Sequence, residues 1–223
     1  MTDPMYDEEM MRAPVLSPID RVAEMLFGLF MALTFVGAVS VADSGREDLH
    51  KMFAAALGCN LAWGLVDAVM YLVRTVTDRG RWISLLRAVR STADAQAGRA
   101  LIAGAVSAVG AQFMTAAELD AIRGRIAALP RIPERTTLYR GDLLAALAIF
   151  LIVVAATFPV VLPFALIQDV VTARTVSRII ALAMLFFGGF ALGRYAGYGS
   201  WKAGLMMAGL GTVLVAAITA LGG

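Results

Sequence analysis

The sequence predicts an all-α polytopic membrane protein: five transmembrane helices, with a cytoplasmic helical insertion between the second and the third. Three observations carry this. The 223 residues are 60% hydrophobic and only 16% charged, with a mean hydropathy of +0.77, whereas soluble domains carry about 25% charged residues. Five apolar runs approach or exceed the roughly 20 residues that a helix needs to cross a hydrocarbon core about 30 Å thick. Basic residues are concentrated between the second and third runs. Helices are the expected spanning element, because lipid offers no water to satisfy backbone polar groups. The alternating pattern of barrel strands is absent.

Residues 1–18 read as an acidic, proline-punctuated cytoplasmic tail (Asp7, Glu8, Glu9, Pro14, Pro18). They lack the basic-then-apolar order of a cleavable signal, so the first helix is expected to serve as its own insertion signal. The first span runs from Ile19 to Ala42, the polar stretch 43–48 makes a turn, and the second span covers Met52–Val73. A connection this short predicts an antiparallel helix pair over 19–73.

Residues 74–140 change character: eleven arginines against five acids give a net charge of +6. This segment reads as helical and water-facing. Thr115-Ala116-Ala117-Glu118 fits a capping box, and its helix should end before Pro130. The uncharged stretch Leu101–Ala117, rich in Gly, Ala and Ser, is expected as a packed cytoplasmic helix rather than a sixth span. Three apolar runs complete 141–223: Leu143–Ile167, Ile179–Gly193 with its flanks, and Ala203–Leu221. Basic residues collect on the cytoplasmic side of membranes. That rule puts 74–140 and the N-terminus inside and the C-terminus outside, as expected for a bacterial inner-membrane protein. Arg174 and Arg178 fall outside against the rule.

Several patches resemble the vacuolar iron transporter family. Phe158-Pro159-Val160-Val161-Leu162-Pro163-Phe164 is similar to that family's proline-paired third helix. Gly193–Gly211, starting Gly193-Arg194-Tyr195-Ala196-Gly197, resembles its junction between the fourth and fifth helices. Phe27-Gly28-Leu29, followed by Leu33 and Gly37, resembles its first-helix motif. The layout of two helices, a cytoplasmic insertion and three helices is also that family's. The chain departs from the pattern at Phe27, where the family carries an acid, and in 74–140, arginine-rich where the family's segment is glutamate-rich. The resemblance is therefore to a divergent branch. It implies a homodimer, formed through the first two helices, that moves a divalent metal of the iron or manganese type by proton exchange.

The residues themselves suggest where such chemistry would sit. Ionisable groups inside a span are costly and so are functional candidates; Glu24 and Asp67 are the two that stand out. Each lies five or six residues from its expected cytoplasmic boundary, about 7–9 Å deep at 1.5 Å per residue. Asp20, Glu24, Gly28, Met31 and Phe35 share one face of the first helix. Asn60, Gly64, Asp67, Tyr71 and Arg74 share one of the second, with Met70 at its margin. Carboxylates suit hard divalent ions, and the thioethers of Met31 and Met70 suit softer ones. Two close carboxylates would also share a proton. The competing reading pairs Glu24 and Asp67 with Arg74 and Arg21 as a structural lock between helix ends.

Other features are read as structural: the acidic tail with Met10 and Met11 as solvated, His50 as incidental, and Gly188, Gly189, Gly193 and Gly197 as packing. The basic 74–140 segment would attract anionic lipid headgroups but lacks the interleaved aromatics of a nucleic-acid binder. No Walker loop, HExxH, CxxC pair or Ser-His-Asp set is present, so neither an enzyme nor a bound cofactor is expected. The alternative function is a non-transporting membrane protein whose basic cytoplasmic helices bind lipid or a protein partner.

Overall fold

A computed structural model describes residues 18–39, 46–106, 108–197 and 199–221. The acidic tail, the turn at 40–45 and the side chains of Phe35 and His50 lie outside this description. Among the described residues all regular structure is helical: α1 (Pro18–Val39), α2 (Arg46–Ser91), α3 (Ala95–Ala105), α4 (Ala108–Gln112), α5 (Ala116–Ala127), α6 (Arg140–Leu166), α7 (Val170–Ala196) and α8 (Ser200–Ala220). Two compact units are built from them. One holds Leu72–Asp142; the other holds the described residues up to Tyr71 and those from Leu143 onward.

The second of these units contains the apolar helices. Pro18 opens α1, where its missing N–H costs nothing. Leu26, Leu29, Leu33 and Val36 of α1 form a buried cluster with Ala156 and Val160 of α6 and with Ala181 and Leu185 of α7. α7 and α8 meet at small residues, as the glycine pattern predicted. A Cβ on Gly189 would come within 2.7 Å of the Ala203 carbonyl, and one on Gly204 within 2.9 Å of the Phe186 carbonyl. Backbone therefore lies against backbone, the contact that holds helices together where lipid removes the hydrophobic drive between them. Gly193 is buried against Ala203 and Ser200 of α8, and Gly188 against the side chains of Met25 and Leu26 of α1, whereas Gly197 ends α7 with φ +74°.

Buried hydroxyls in this unit donate to helix carbonyls, within a helix or across to a neighbour. Thr157 donates to Val154 O, and Thr34 to Met31 O. Buried Ser177 donates to Val160 O, in the turn between Pro159 and Pro163, where two backbone N–H groups are missing. The outward faces are apolar: Leu144, Phe187 and Val213 are 64, 68 and 66% exposed. Soluble monomers rarely leave apolar patches beyond a few hundred Å² in water, so this surface is compatible with a lipid surrounding. Helices α6, α7 and α8 are each long and apolar enough to cross a membrane.

The other unit is the arginine-rich segment. It begins inside α2, a single helix of 46 residues that continues past Val73 to Ser91. The onset of charge at Arg74 thus falls within one helix rather than at its end. Val89, Ile102 and Leu119 form a small core, flanked by Leu85, Ala103, Met114, Ile122 and Ile126. Asp94 caps α3 by accepting from the amides of Gln96 and Ala97. Stretch 101–117, expected as one packed helix, is interrupted: α3 ends with Val106 extended, and α4 is five residues long. Neither piece has the length of a span. Thr115 and Glu118 form the expected capping box, and α5 ends at Ala127, ahead of Pro130.

Candidate functional site

The candidate carboxylates belong to α1 and α2, so the register of those helices decides whether they are level. α1 is 22 residues long, about 33 Å at 1.5 Å per residue. The six residues 40–45 reach at most ~25 Å, too little to carry the chain back for a parallel helix, so α2 runs antiparallel to α1. Phe27 and Trp63 meet edge to face with ring centroids 6.4 Å apart. In an antiparallel pair this contact makes residues level when their numbers total about 90. Glu24 is thereby level with Asp67, and Met31 with Asn60, two tiers separated by about 10 Å along the axis.

Both stripes turn inward over part of their length, while Asp20 and Arg74 are exposed. On α2, Asn60 is only 5% exposed, Gly64 is buried, and Asp67 and Tyr71 are partly buried. One carboxylate oxygen of Asp67, Oδ2, is shielded from the surface. Leu61, Leu65, Val66 and Val69 occupy the exposed side, and Met70 is half exposed with them. On α1, Gly28 is buried and Glu24 and Met31 are partly buried.

Two glycines explain how both helices reach the same neighbour. A Cβ on Gly28 would lie 3.1 Å from Val153 O, and one on Gly64 would lie 3.2 Å from the Phe150 ring. α1 and α2 therefore press on the same turn of α6. Glu24 and Asp67 each sit one turn beyond these glycines, towards the same end. Residues 143–156 of α6 are all apolar, so along this stretch α1 and α2 supply the charged side chains. Two level carboxylates against an apolar wall can take up one proton between them or attract a cation. Among the described residues no group of three or more His, Cys, Asp or Glu converges, so any cation here would complete its shell with amide, hydroxyl or water.

The arginine-rich unit holds an arrangement that sequence reading missed. Arg79 and Asp142 form a bidentate pair at 2.6 and 2.8 Å, with only 8 and 7% of each residue exposed. Arg79 also donates to Thr137 O at 2.8 Å and lies 4.9 Å above the Tyr139 ring centre. Asp142, third residue of α6, accepts from the Tyr139 amide at 2.7 Å, the reciprocal half of a capping box. The local signal was an acid in a first helical turn; the partner, 63 residues away, left none. Other arginines also hold loops together. Arg87 donates to Pro133 O and Glu134 O, Arg123 to Thr92 O and Ala93 O, and Arg99 pairs with Asp120 at 3.4 Å.

No protein-family model matches this chain, and no curated protein matches it in sequence.

Proposed function

We propose that this chain is a membrane transporter of a small cation, most simply a divalent metal of the iron or manganese type exchanged for protons. In this reading α1 and the first part of α2 join α6–α8 as five spans, with the N-terminus and the arginine-rich unit in the cytoplasm of a bacterial cell. Two copies associate through α1 and α2, as the resemblance to a divergent vacuolar iron transporter implies. The observation that supports it is the inward Asn60–Gly64–Asp67–Tyr71 stripe of α2, with Glu24 partly buried on α1. Retaining such groups inside a span is expensive without a use for them. Asn60 and Met31, a tier away, would offer the next neutral ligands, and Met70 a thioether at the margin.

A second reading, a non-transporting membrane protein whose basic helices hold lipid or a partner, is favoured by one feature. Residues 74–140 carry a net +6, which repels a divalent cation instead of gathering it. One experiment separates the two. Purified full-length protein is screened for thermal stabilisation by manganese, ferrous iron, zinc and magnesium. Transport predicts a concentration-dependent rise with at least one transition metal, abolished in Asp67→Asn and Glu24→Gln. A flat response to every ion supports the second reading and removes the first.

A further inference from the structure

The uncharged stretch of the arginine-rich unit leaves large apolar side chains in the open. Val109 is 66% exposed and Phe113 80%, as much as the outward residues of α6, α7 and α8. Leu101 and Ala105, one turn apart on α3, are exposed as well. No charged residue occurs between Arg99 and Glu118. We infer that this stretch is a membrane-surface anchor, in which Val109 and Phe113, with Leu101 and Ala105 of α3, dip into the headgroup boundary of a lipid bilayer.

The outward side chains are set by inward neighbours. Ile102, next to Leu101, is buried in the core with Val89 and Leu119, and Met114, next to Phe113, packs against that core. The Phe113 amide donates to Gly110 O and the Met114 amide to Ala111 O, closing the turn that follows α4. With Met114 against the core, this turn presents Phe113 outward. α3 ends at Val106 and α4 is five residues long, so the stretch cannot cross a bilayer but can lie at its surface.

Single exposed apolar residues are ordinary; several within one uncharged stretch are not. A second copy is a poor occupant. Three large side chains cover only a small part of the roughly 800 Å² that each partner buries in a stable protein interface. Lipid sets no such minimum, because each apolar side chain gains by leaving water on its own. Charge favours lipid too. Residues 74–140 carry eleven arginines against Asp78, Asp94, Glu118, Asp120 and Glu134, and a net positive segment is drawn to anionic headgroups. The two acids that follow the stretch are engaged, Glu118 in the Thr115 cap and Asp120 with Arg99.

The anchor requires only that the chain lies in a membrane, which both readings of its function share, and is independent of metal transport. The test uses full-length Cys59→Ser protein carrying bimane on one introduced cysteine, Val109→Cys, Gln96→Cys or Leu210→Cys. Each is reconstituted in phosphatidylcholine–phosphatidylglycerol vesicles. Doxyl-labelled lipid should quench the probe at 109 several-fold more strongly than at 96, an exposed position of the same unit. Adding Phe113→Asp should reduce quenching at 109 to the level at 96. Phe113 is so exposed that this change should leave the melting temperature as in wild type. Quenching at 109 no stronger than at 96, or unaffected by Phe113→Asp, overturns the anchor. Shielding at 109 from both the lipid and aqueous iodide identifies a protein cover, a second copy or another partner, and overturns it equally. Position 210 lies on α8, long and apolar enough to cross a membrane; without quenching there the membrane placement itself fails, and the anchor with it.

Discussion

Replacing Asp142 by alanine tests the buried ion pair that closes the arginine-rich unit. The carboxylate accepts two charge-assisted hydrogen bonds from Arg79 and a third from the Tyr139 amide. Its loss leaves a guanidinium that is 8% exposed with the Thr137 carbonyl and the Tyr139 ring as partners. Truncating one member of such a pair costs about 3–5 kcal/mol, chiefly because the other charge stays buried. At roughly 2–4 °C per kcal/mol for a chain of this length, the melting temperature in detergent should fall by about 6–20 °C. Proteolysis within 130–140 should accelerate with it. The double variant Arg79→Met/Asp142→Leu should be less destabilised than Asp142→Ala, since it strands no charge. A single variant within about 0.5 kcal/mol of wild type, the range of an ordinary surface change, would refute the reasoning.

Four further outcomes follow from the geometry. Gly189→Ala should destabilise the protein by about 1–3 kcal/mol through overpacking, because its Cβ would meet the Ala203 carbonyl. Gly209→Ala on α8, with nothing within 4 Å of a Cβ, should be neutral or slightly stabilising in the same thermal assay. Glu118 and Asp169 are held below their ordinary values of 4.5 and 3.8, respectively by backbone and side-chain hydrogen bonds from Thr115 and by side-chain and backbone hydrogen bonds from Thr172. A depressed folded-state pKa contributes stability above the unfolded value and loses it as pH falls through the folded one. Amide protection at Thr115, corrected for intrinsic exchange, should therefore fall at pH values below 4.5, and Glu118→Gln should lack that transition. Finally, Cys59 is exposed on the helix that the proposed function sets in the membrane, where lipid or the partner copy would cover it. It should resist a charged maleimide in intact membranes and react after denaturation in SDS; full labelling in membranes would contradict a second span at this position.

How much could be read in advance varied with the kind of signal. Local chemistry was legible: the Thr115–Glu118 box, the end of α5 before Pro130, and the inward face through Asn60, Gly64 and Asp67 all depend on neighbours within two turns. Where α2 ends was not. Hydropathy reports the solvent a helix meets, and the arginines after Val73 are good helix formers, so the backbone runs on to Ser91. Nor was the break at Val106 marked, since Gly104-Ala105-Val106-Ser107 contains no proline or charge. The edge of the inward stripe on α2 falls between neighbours: Tyr71 is partly buried and Met70 half exposed, a distinction finer than helical phase provides. The Arg79–Asp142 pair joins residues 63 positions apart, a tertiary contact without a local precursor. Apolar helices for a membrane were legible because composition alone separates lipid from water as solvent.

The most direct test of the central claim is flux itself. Full-length protein is reconstituted into liposomes loaded with a metal-sensitive dye, a proton gradient is imposed, and manganese or ferrous iron is added outside. Quenching well above that of protein-free liposomes is expected, with collapse of the signal when the gradient is dissipated and none in Asp67→Asn reconstituted to the same yield. Flux in Asp67→Asn equal to wild type would remove the carboxylate tier from the mechanism, and no flux by wild type with any metal would contradict transport altogether.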